Sequence, residues 1–505
     1  MPKQIELTFK PVSPKILYFN ITPKTVYKYY DSIYLLIYIY LPIKTRGEYI
    51  NFLINIKTML LNFSSWLPES LMNRAYLTRD VIAGTTIAMI IIPQSMAYAT
   101  LADVPPVYGL YAALLPVAVA AFFGSSRYLA TGPVAMVCLL TSVAISSLSF
   151  GDTSLYIAYA VILAMTVGVF QIALALVRAG NVFDKIPEHV LLGFTSAAAL
   201  IIATSQLSKV FGLSKISLSD LLNINQLLAE TPINLEAFLL SIIVLSLMYI
   251  IKYKYTKFMT FSNLAVFFAV LFSILFVSNY SYSGPIVGFI PSGIPEMTLP
   301  SLQVFTGSIP MLIIHTVIIA FVGFMEAIAI AKQLYVKKPP KDQNGVELYK
   351  NPTPVDSNQE LFGQGLSNIT SSISGSIPVS GSFSRSAVNE SSGAYSGLSS
   401  IVTMIVVGAT LLFATPLLHN LPEATLGVIV IFAVIPLIKV KELNKLYKEN
   451  IGLGSIAWLT FFSTLIFPML SIELFEGVKT HIWTGIIFGF ILHILFAKKY
   501  PAQAE

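Results

Sequence analysis

The sequence predicts an all-α polytopic membrane protein with fourteen transmembrane segments, arranged as a seven-plus-seven inverted repeat. Apolar residues make up 55% of the 505-residue chain, only 11% of residues are charged, and the mean hydropathy is +0.75. A soluble domain carries about 25% charged residues, so this composition argues against a large soluble protein. Two of the apolar segments are interrupted by small and polar residues, at equivalent positions of the two halves.

The long apolar runs place seven segments in each half of the chain, and we number them one to fourteen in chain order. The first half contains residues 76–98, 106–123, 133–148, 154–178, 187–207, 233–252 and 259–278. The second half contains residues 308–333, 359–377, 384–396, 398–416, 423–438, 451–469 and 472–497. An odd number of spans per half gives the halves opposite orientations in the membrane.

Basic residues cluster in short tracts between the predicted spans, at residues 252–257, 332–350, 439–448 and 498–499. These tracts follow segments six, eight, twelve and fourteen, so the positive-inside rule places them and both termini in the cytoplasm. The net charge of +6 is therefore interpreted as membrane topology and not as nucleic-acid binding. We predict a multi-pass protein of the cell (plasma) membrane.

The domain boundaries follow from these runs. Residues 1–74 are predicted to be an N-terminal extension, residues 75–497 the membrane domain and residues 498–505 a short cytoplasmic tail. The extension has no signal-peptide cleavage site and no run long enough to span a membrane. Met59 is an alternative natural start, because residues 59–79 make an amphipathic lead-in to segment one. A translated cytoplasmic or interfacial extension is the other interpretation.

Segments three and ten begin at interruptions rich in glycine, proline and hydroxyl residues, at residues 124–133 and 375–388. Non-helical backbone at membrane depth is tolerated only where it is buried in protein or lines a cavity. Matched breaks in the two halves of a transporter are the best sequence indication of a substrate site. We therefore expect both segments to begin in mid-membrane and to face one site.

A helix that begins in mid-membrane presents unpaired N–H groups and the positive end of its dipole, which together favour an anion. In segment three, Pro133 is expected at the first helical position, because proline has no N–H to lose there. The expected donors are then the N–H groups of Val134, Ala135 and Met136. This geometry favours an anionic substrate over a cationic one.

Segment ten is expected to begin in the same way, with Ser382 or Ser384 as its cap. The expected donors are the N–H groups of Ser384, Arg385 and Ser386. Arg385 adds a full positive charge, which at the bilayer centre costs about 2.5–3.5 kcal/mol on insertion scales. We therefore expect its guanidinium to face a cavity or a partner.

Two further positions complete the predicted site. Glu326 is the only acidic residue deep in segment eight, and we predict that it forms an intramembrane charge pair with Arg385. Protonation of Glu326 would leave Arg385 free to attract an anion, which is a route to proton–anion symport; a static ion pair is the alternative. In segment one, Gln94 and Tyr98 follow the helix-breaking Pro93 and share one face.

The remaining reactive residues indicate no catalytic or metal centre. Cys138 is the single cysteine, which excludes an intramolecular disulfide and a multi-cysteine metal site. The five histidines show no ligand spacing, and no nucleophile–base pair is apparent. We predict no enzyme, no metal site and no cofactor.

Several motifs in the expected order resemble the signature of the SulP sulfate permease family over about residues 75–497. They are Asp80-Val-Ile-Ala-Gly84, Ile92-Pro-Gln-Ser-Met-Ala-Tyr-Ala99, Pro105-Pro-Val-Tyr-Gly-Leu-Tyr111, Gly124-Ser-Ser-Arg127, Thr131-Gly-Pro133, Gly193-Phe-Thr-Ser-Ala-Ala198, Asn358-Gln-Glu-Leu361 and Gly381-Ser-Phe-Ser-Arg-Ser-Ala-Val-Asn389. The resemblance covers nearly all of the predicted membrane part.

The resemblance implies a core domain that moves against a gate domain. The core would comprise residues 76–178 and 308–416, and the gate residues 187–278 and 423–497. Most members of the family also end in a cytoplasmic STAS domain, which is not expected in this sequence. A homodimer through gate contacts near segment fourteen stays open.

The resemblance also implies an anion site between the starts of segments three and ten. Matched motif by motif, the site would be lined by Gln94, Tyr98, Val134, Phe383, Ser384 and Arg385. Glu326 occupies the acidic position of segment eight that proton-coupled members use. A sodium-coupled bicarbonate carrier of the family has an aspartate there, so the glutamate favours protons.

These inferences predict a secondary active transporter of inorganic anions, with sulfate as the leading substrate, proton symport as the coupling and elevator-type alternating access. Bicarbonate and dicarboxylates also fit an amide-lined positive site, and an uncoupled exchanger or a channel remains open. A channel would need several weak sites along a continuous pore. Sodium coupling is a further alternative. The expected partners are a small inorganic anion, protons and the lipid bilayer.

Overall fold

The computed structural model describes residues 67–146, 153–183, 187–213, 233–254, 263–297, 299–300, 309–335, 354–470, 473–475, 478–479 and 481–496. Contacts divide the chain into two units, Met1–Thr58 and Met59–Glu505, and all described residues belong to the second. Most of the predicted N-terminal extension, with its alternative start at Met59, and the predicted tail lie outside the described residues.

Nineteen α-helices account for most of the described chain. In the first half they are α1 (Leu67–Met72), α2 (Arg74–Leu101), α3 (Pro106–Ala112), α4 (Leu115–Phe123), α5 (Ala135–Ser146), α6 (Thr153–Leu176), α7 (Gly180–Phe183), α8 (Glu188–Ser205), α9 (Leu207–Phe211), α10 (Leu235–Lys254) and α11 (Ala265–Asn279). In the second half they are α12 (Ile309–Gln333), α13 (Ser357–Ile373), α14 (Phe383–Ser391), α15 (Leu398–Ala409), α16 (Glu423–Val434), α17 (Val440–Glu449), α18 (Ile451–Leu470) and α19 (Ile482–Phe496).

Short irregular helices and strands complete the described fold. A π-helix (Thr410–Ala414) and a 3₁₀ turn (Thr415–Leu418) extend α15, and a second 3₁₀ turn (Ile435–Leu437) extends α16. The strands are β1 (Thr131–Gly132), β2 (Ser380–Gly381), β3 (Glu473–Phe475) and β4 (Val478–Lys479). They form two antiparallel pairs, β1 with β2 and β3 with β4.

Among the described residues, nine helical stretches are long and apolar enough to cross a membrane. They are Arg74–Leu101, Pro106–Phe123, Ser154–Leu176, Glu188–Phe211, Leu235–Lys254, Ile309–Gln333, Leu398–Leu418, Glu423–Glu449 and Ile451–Leu470. Three shorter apolar helices, α5, α11 and α19, overlap predicted segments three, seven and fourteen. The prediction of a helical, membrane-spanning fold is confirmed.

Segments nine and ten correspond to α13 and α14, which are rich in hydroxyl and amide side chains. Thirteen of the seventeen residues of α13 are buried in the protein. A helix surrounded by other helices has no lipid to face, so it can satisfy polar side chains internally instead of presenting an apolar surface. This explains why a polar segment lies between strongly apolar ones.

Two predicted segment boundaries are wrong. Segment fourteen was predicted from residue 472, but α19 begins at Ile482 because β3 and β4 occupy the residues before it. Segment ten was predicted to reach residue 396, but α14 ends at Ser391. Gly393 follows in the left-handed conformation with φ +83°, and the Ala394 N–H closes the turn on the Asn389 carbonyl. This is a glycine-terminated helix end.

Glycines allow α6 and α13 to cross at close range. Gly168 of α6 and Gly365 of α13 face each other, and a Cβ on Gly168 would lie 2.6 Å from the Gly365 carbonyl oxygen. Small residues at such crossings let two backbones approach, which is how helices associate in a membrane. α13 is therefore held directly against α6, and its polar side chains are enclosed.

We predict that Gly168→Ala lowers the midpoint of thermal unfolding of the purified protein in detergent. The added methyl group would overpack the crossing at a cost of about 1–3 kcal/mol, which exceeds the gain in helix propensity. Gly408→Ala is the matched control, because a Cβ there meets only the flexible Leu114 side chain, at 3.3 Å. Equal midpoints for the two variants would contradict this account of the crossing.

Candidate functional site

The two predicted interruptions meet in the structure. β1 lies just before α5, β2 lies just before α14, and the two strands pair antiparallel with Thr131 opposite Gly381 and Gly132 opposite Ser380. The Ser382 N–H extends the pairing by donating to the Ala130 carbonyl, at 3.0 Å. The two half-helices therefore start side by side, each directly after one strand of the same small ladder.

α5 begins at Ala135, two residues later than predicted for its first position. The Cys138 N–H donates to the Val134 carbonyl at 3.0 Å, so Val134 is the N-cap residue and Pro133 precedes the helix. The N–H groups of residues 134–137 have no helical carbonyl four residues before them. They are therefore the donors that this helix end leaves without intrahelical partners. The predicted donors Val134, Ala135 and Met136 all lie in this turn.

α14 begins at Phe383, with Ser382 as its N-cap residue, although the Ser382 side chain makes no capping hydrogen bond. The Ser386 N–H donates to the Ser382 carbonyl at 3.0 Å. The prediction that Ser386 supplies a free N–H is therefore wrong, and the free donors of the first turn are the N–H groups of Phe383, Ser384 and Arg385.

A cavity of about 30 Å³ lies against both helix starts. Most predicted site residues line it, namely Tyr98, Val134, Ala135, Glu326, Phe383 and Ser384. Met136, expected as an N–H donor, and Ser382, expected as a helix cap, also line the cavity, whereas the sequence does not predict the facing wall. That wall consists of Ala199, Ile202, Ala433, Val434 and Leu437. The polar side chains of the cavity therefore come from one side, and the side chains of the opposite wall are all apolar.

Arg385 and Gln94 lie behind the cavity instead of on its surface. The Arg385 side chain is 0% exposed, and its Nη1 donates to Gln94 Oε1 at 3.1 Å. Its Nη2 lies under β1, 3.3 Å from where a Cβ on Gly132 would be. Neither Nε nor Nη2 has a hydrogen-bond partner in the described part of the chain. Arg385 thus places a buried positive charge directly behind the strand pair.

The predicted charge pair between Glu326 and Arg385 is not a direct contact in this conformation. No salt bridge within 4.0 Å joins them among the described residues. Arg385 turns towards Gln94 on α2, whereas Glu326 lines the small cavity and also a larger one of about 710 Å³. One Glu326 oxygen, Oε2, has no hydrogen-bond partner in the described structure.

Polar side chains of α13 hold the strand pair in place. Asn368 brackets β2 from one side, accepting from the Val379 N–H at 2.8 Å and donating to the Val379 carbonyl at 3.1 Å. Gln364 donates to Thr131 Oγ1 at 2.8 Å. On the other side, Ser380 Oγ donates to the Gly323 carbonyl of α12 at 2.7 Å. The strand pair is therefore held by these side chains. Hydropathy shows that the segment is unexpectedly polar, but it does not show which groups its side chains bind.

Glu360 fixes the chain that leads into β1. This buried carboxylate accepts from the N–H groups of Ser125 and Ser126, at 2.8 and 3.0 Å, and from Ser125 Oγ at 3.1 Å. A Cβ on Gly124 would lie 3.1 Å from both carboxylate oxygens. Glu360 belongs to one motif and the Gly124-Ser-Ser run to another, so the structure joins two motifs that are distant in sequence.

The model of the sulfate permease family matches residues 77–460. The chain belongs to this family. It is 34% identical over 426 residues to sulfate transporter 4.1, chloroplastic, of Arabidopsis thaliana, covering 83% of this chain and 58% of the relative. It is 30% identical over 421 residues to the sodium-independent sulfate anion transporter of Bos taurus, covering 77% of this chain and 66% of that relative. The chain therefore spans less than two thirds of the length of either relative.

Solved structures share the fold at lower sequence identity. The overall structure of SLC26A9 aligns with a TM-score of 0.73 and 20% identity, covering 96% of this chain and 72% of that one. The transmembrane domain of the cyanobacterial bicarbonate transporter BicA aligns with a TM-score of 0.66 and 22% identity, covering 83% and 98%. The family resemblance inferred from the motifs is confirmed.

We predict that Gln94→Leu destabilises the protein more than Gln94→Leu combined with Arg385→Met. The single change removes the one hydrogen-bond partner that the described structure gives Arg385, and an unsatisfied buried group costs about 1–3 kcal/mol or more when it is charged. Removing both partners leaves no buried charge to satisfy. Thermal unfolding of the two single variants and the double variant, in detergent without sulfate, tests this cycle. Simple additivity of the two single effects would contradict it.

Proposed function

We propose that the protein is a secondary active transporter of inorganic anions, with sulfate as its leading substrate. The observation that carries the proposal is the strand pair that sets the free N–H groups of α5 and α14 against one cavity. Two helix N-termini and the charge of Arg385 make that cavity favourable for an anion. The relatives named above are a sulfate transporter and a sulfate anion transporter, which supports sulfate ahead of bicarbonate or a dicarboxylate.

The proposed topology has fourteen segments in two inverted halves, with both termini in the cytoplasm of a cell that carries the protein in its plasma membrane. The large cavity supports an orientation. Its wall includes Glu188, Gln333, Lys439 and Glu442, near the basic tracts that the positive-inside rule assigns to the cytoplasm. Because Glu326 and Phe383 line both cavities, the site is reached from that side. We infer an inward-facing state.

The proposed mechanism is an elevator movement of core helices against gate helices. Two polar contacts bridge residues that we assign to different domains. Lys209 Nζ donates to Thr100 Oγ1 at 2.6 Å, and Asn263 Nδ2 donates to Ser391 Oγ at 3.2 Å. A displacement of one domain past the other has to break such contacts. The first contact lies at the ends of α2 and α9, away from the large cavity. We propose that it helps to close the site on the outer side of the membrane.

The proposed coupling residue is Glu326. Its carboxylate lines the cavity, and one oxygen has no hydrogen-bond partner in the described structure. An unpaired charge in an apolar environment is costly, so a carboxylate here is suited to carry its proton when the site is occluded and to exchange it when water enters. A symport with protons follows if the anion and the proton cross together.

We predict that an inward proton gradient stimulates uptake of radiolabelled sulfate into proteoliposomes and that Glu326→Gln abolishes the stimulation. At zero membrane potential, one coupled proton and a gradient of one pH unit supply about 1.4 kcal/mol, enough for about tenfold accumulation. Sulfate–sulfate exchange by the variant should persist, because exchange needs no net proton movement.

Glu296→Gln is the matched control, since Glu296 is exposed and lines neither cavity. It should retain the stimulation. Stimulation by sodium instead of protons would replace the proposed coupling, and uncoupled flux would favour an exchanger or channel. No sulfate uptake under any gradient would overturn the sulfate assignment, and bicarbonate and dicarboxylates would then be the substrates to test.

We predict that cross-linking Thr100→Cys to Lys209→Cys in a Cys138→Ala background arrests transport. A short thiosulfonate cross-linker would join α2 to α9 across the proposed domain boundary, and a reductant should restore uptake. The matched control is Asn234→Cys with Ser283→Cys, an exposed contact of 3.4 Å that joins the residue before α10 to the segment after α11 and does not reach the proposed core. Full transport by the cross-linked Thr100–Lys209 pair would rule out displacement at this boundary.

A further inference from the structure

Two histidines that are far apart in the sequence meet at the wall of the large cavity. His493 Nδ1 lies 3.1 Å from His189 Nε2, and the ring centroids are 4.9 Å apart. His189 lies in the first turn of α8 and His493 in the last turn of α19. Both side chains are half-buried and line the cavity. Neither belongs to the proposed anion site.

The helices that carry the pair are packed tightly along one seam. His493 is four residues after Gly489, so both lie on one face of α19, and a Cβ on Gly489 would lie 2.9 Å from Val190 Cγ1 of α8. His189 is four residues before Gly193, where a Cβ would lie 2.2 Å from the Ala457 carbonyl oxygen of α18. The first contact holds α8 close to α19 beside the two imidazoles, and the second holds α8 against α18.

We propose that His189 and His493 form a binding site for a divalent transition-metal ion such as Zn²⁺ or Ni²⁺. Zinc binds imidazole nitrogen at about 2.0–2.1 Å in tetrahedral geometry, which requires two ligand nitrogens about 3.3 Å apart. The facing nitrogens are already within a few tenths of an ångström of that spacing. One of them carries the hydrogen of the pair, and its imidazole must move that proton to the other ring nitrogen before it binds metal.

The surroundings of the pair determine how strong the site is. No group of three or more His, Cys, Asp or Glu with metal-binding geometry occurs among the described residues, so water has to complete the coordination shell. Two carboxylates, Glu188 and Glu442, line the same cavity, and Lys439 pairs with Glu442 at 3.2 Å. We therefore expect micromolar to sub-millimolar affinity. A bound dication would add positive charge at the mouth of the cavity that leads to Glu326.

Titration of the purified protein with Zn²⁺ and Ni²⁺ tests the site, using an affinity tag that contains no histidine. We expect one ion per chain, with an apparent affinity that His189→Gln and His493→Gln each weaken by at least about tenfold, as loss of a ligand should. X-ray absorption at the metal edge should report imidazole nitrogens in the wild type. His419→Gln is the matched control, because His419 is exposed and lines neither cavity.

Two results would overturn the proposal. One is wild-type protein that binds no metal up to millimolar concentrations, and the other is a double variant His189→Gln/His493→Gln that binds as tightly as the wild type. Unchanged thermal midpoints of the metal-free variants would show that the lost affinity is not a folding defect. The titration does not depend on transport, so failure of the metal site and failure of the sulfate assignment are separately visible.

Discussion

The structure at the centre of this molecule is determined by the need to hydrogen-bond the backbone at two interrupted helices. A helix interrupted inside a membrane leaves N–H and C=O groups that lipid cannot satisfy. Here the two interruptions satisfy each other by pairing as β1 and β2. The pairing satisfies backbone N–H and C=O groups of the extended residues. It leaves the first-turn N–H groups of α5 and α14 without intrahelical partners. These N–H groups are the basis of the proposed anion site.

The strand pair is too short to be stable alone, since isolated two-stranded pairs are marginal even at greater length. Its support comes from α13, which places Gln364 and Asn368 against opposite strands, and from α12 through the Gly323 carbonyl. Those amides need a protein environment, and the crossing of Gly168 with Gly365 provides it by holding α13 against α6. The polarity of α13 is therefore a consequence of the breaks that it supports.

Sequence reasoning reached the features that depend on local pattern. Glycine and proline in apolar runs indicate the breaks, helix-end chemistry predicts Val134 and Ala135 at the site, and the family resemblance adds Phe383. It failed where the answer depends on side-chain direction or on distant partners. Arg385 was paired with Glu326, but the fold turns its guanidinium towards Gln94. The residues of the apolar wall have no reactive or polar side chain that a motif could identify. The histidine pair joins positions 304 residues apart. No local pattern encodes either.

The difference between the two walls of the small cavity bears on how an anion would move. The polar side chains belong to α2, α12 and the start of α14, whereas the facing residues of α8, α16 and the turn after it have only apolar side chains. An anion held by one wall makes no directional bond to the other, so the polar side can slide past the apolar side without exchanging partners. A channel would instead need successive polar sites along its path. The one-sided distribution of polar groups therefore favours a carrier whose site moves with its ligand.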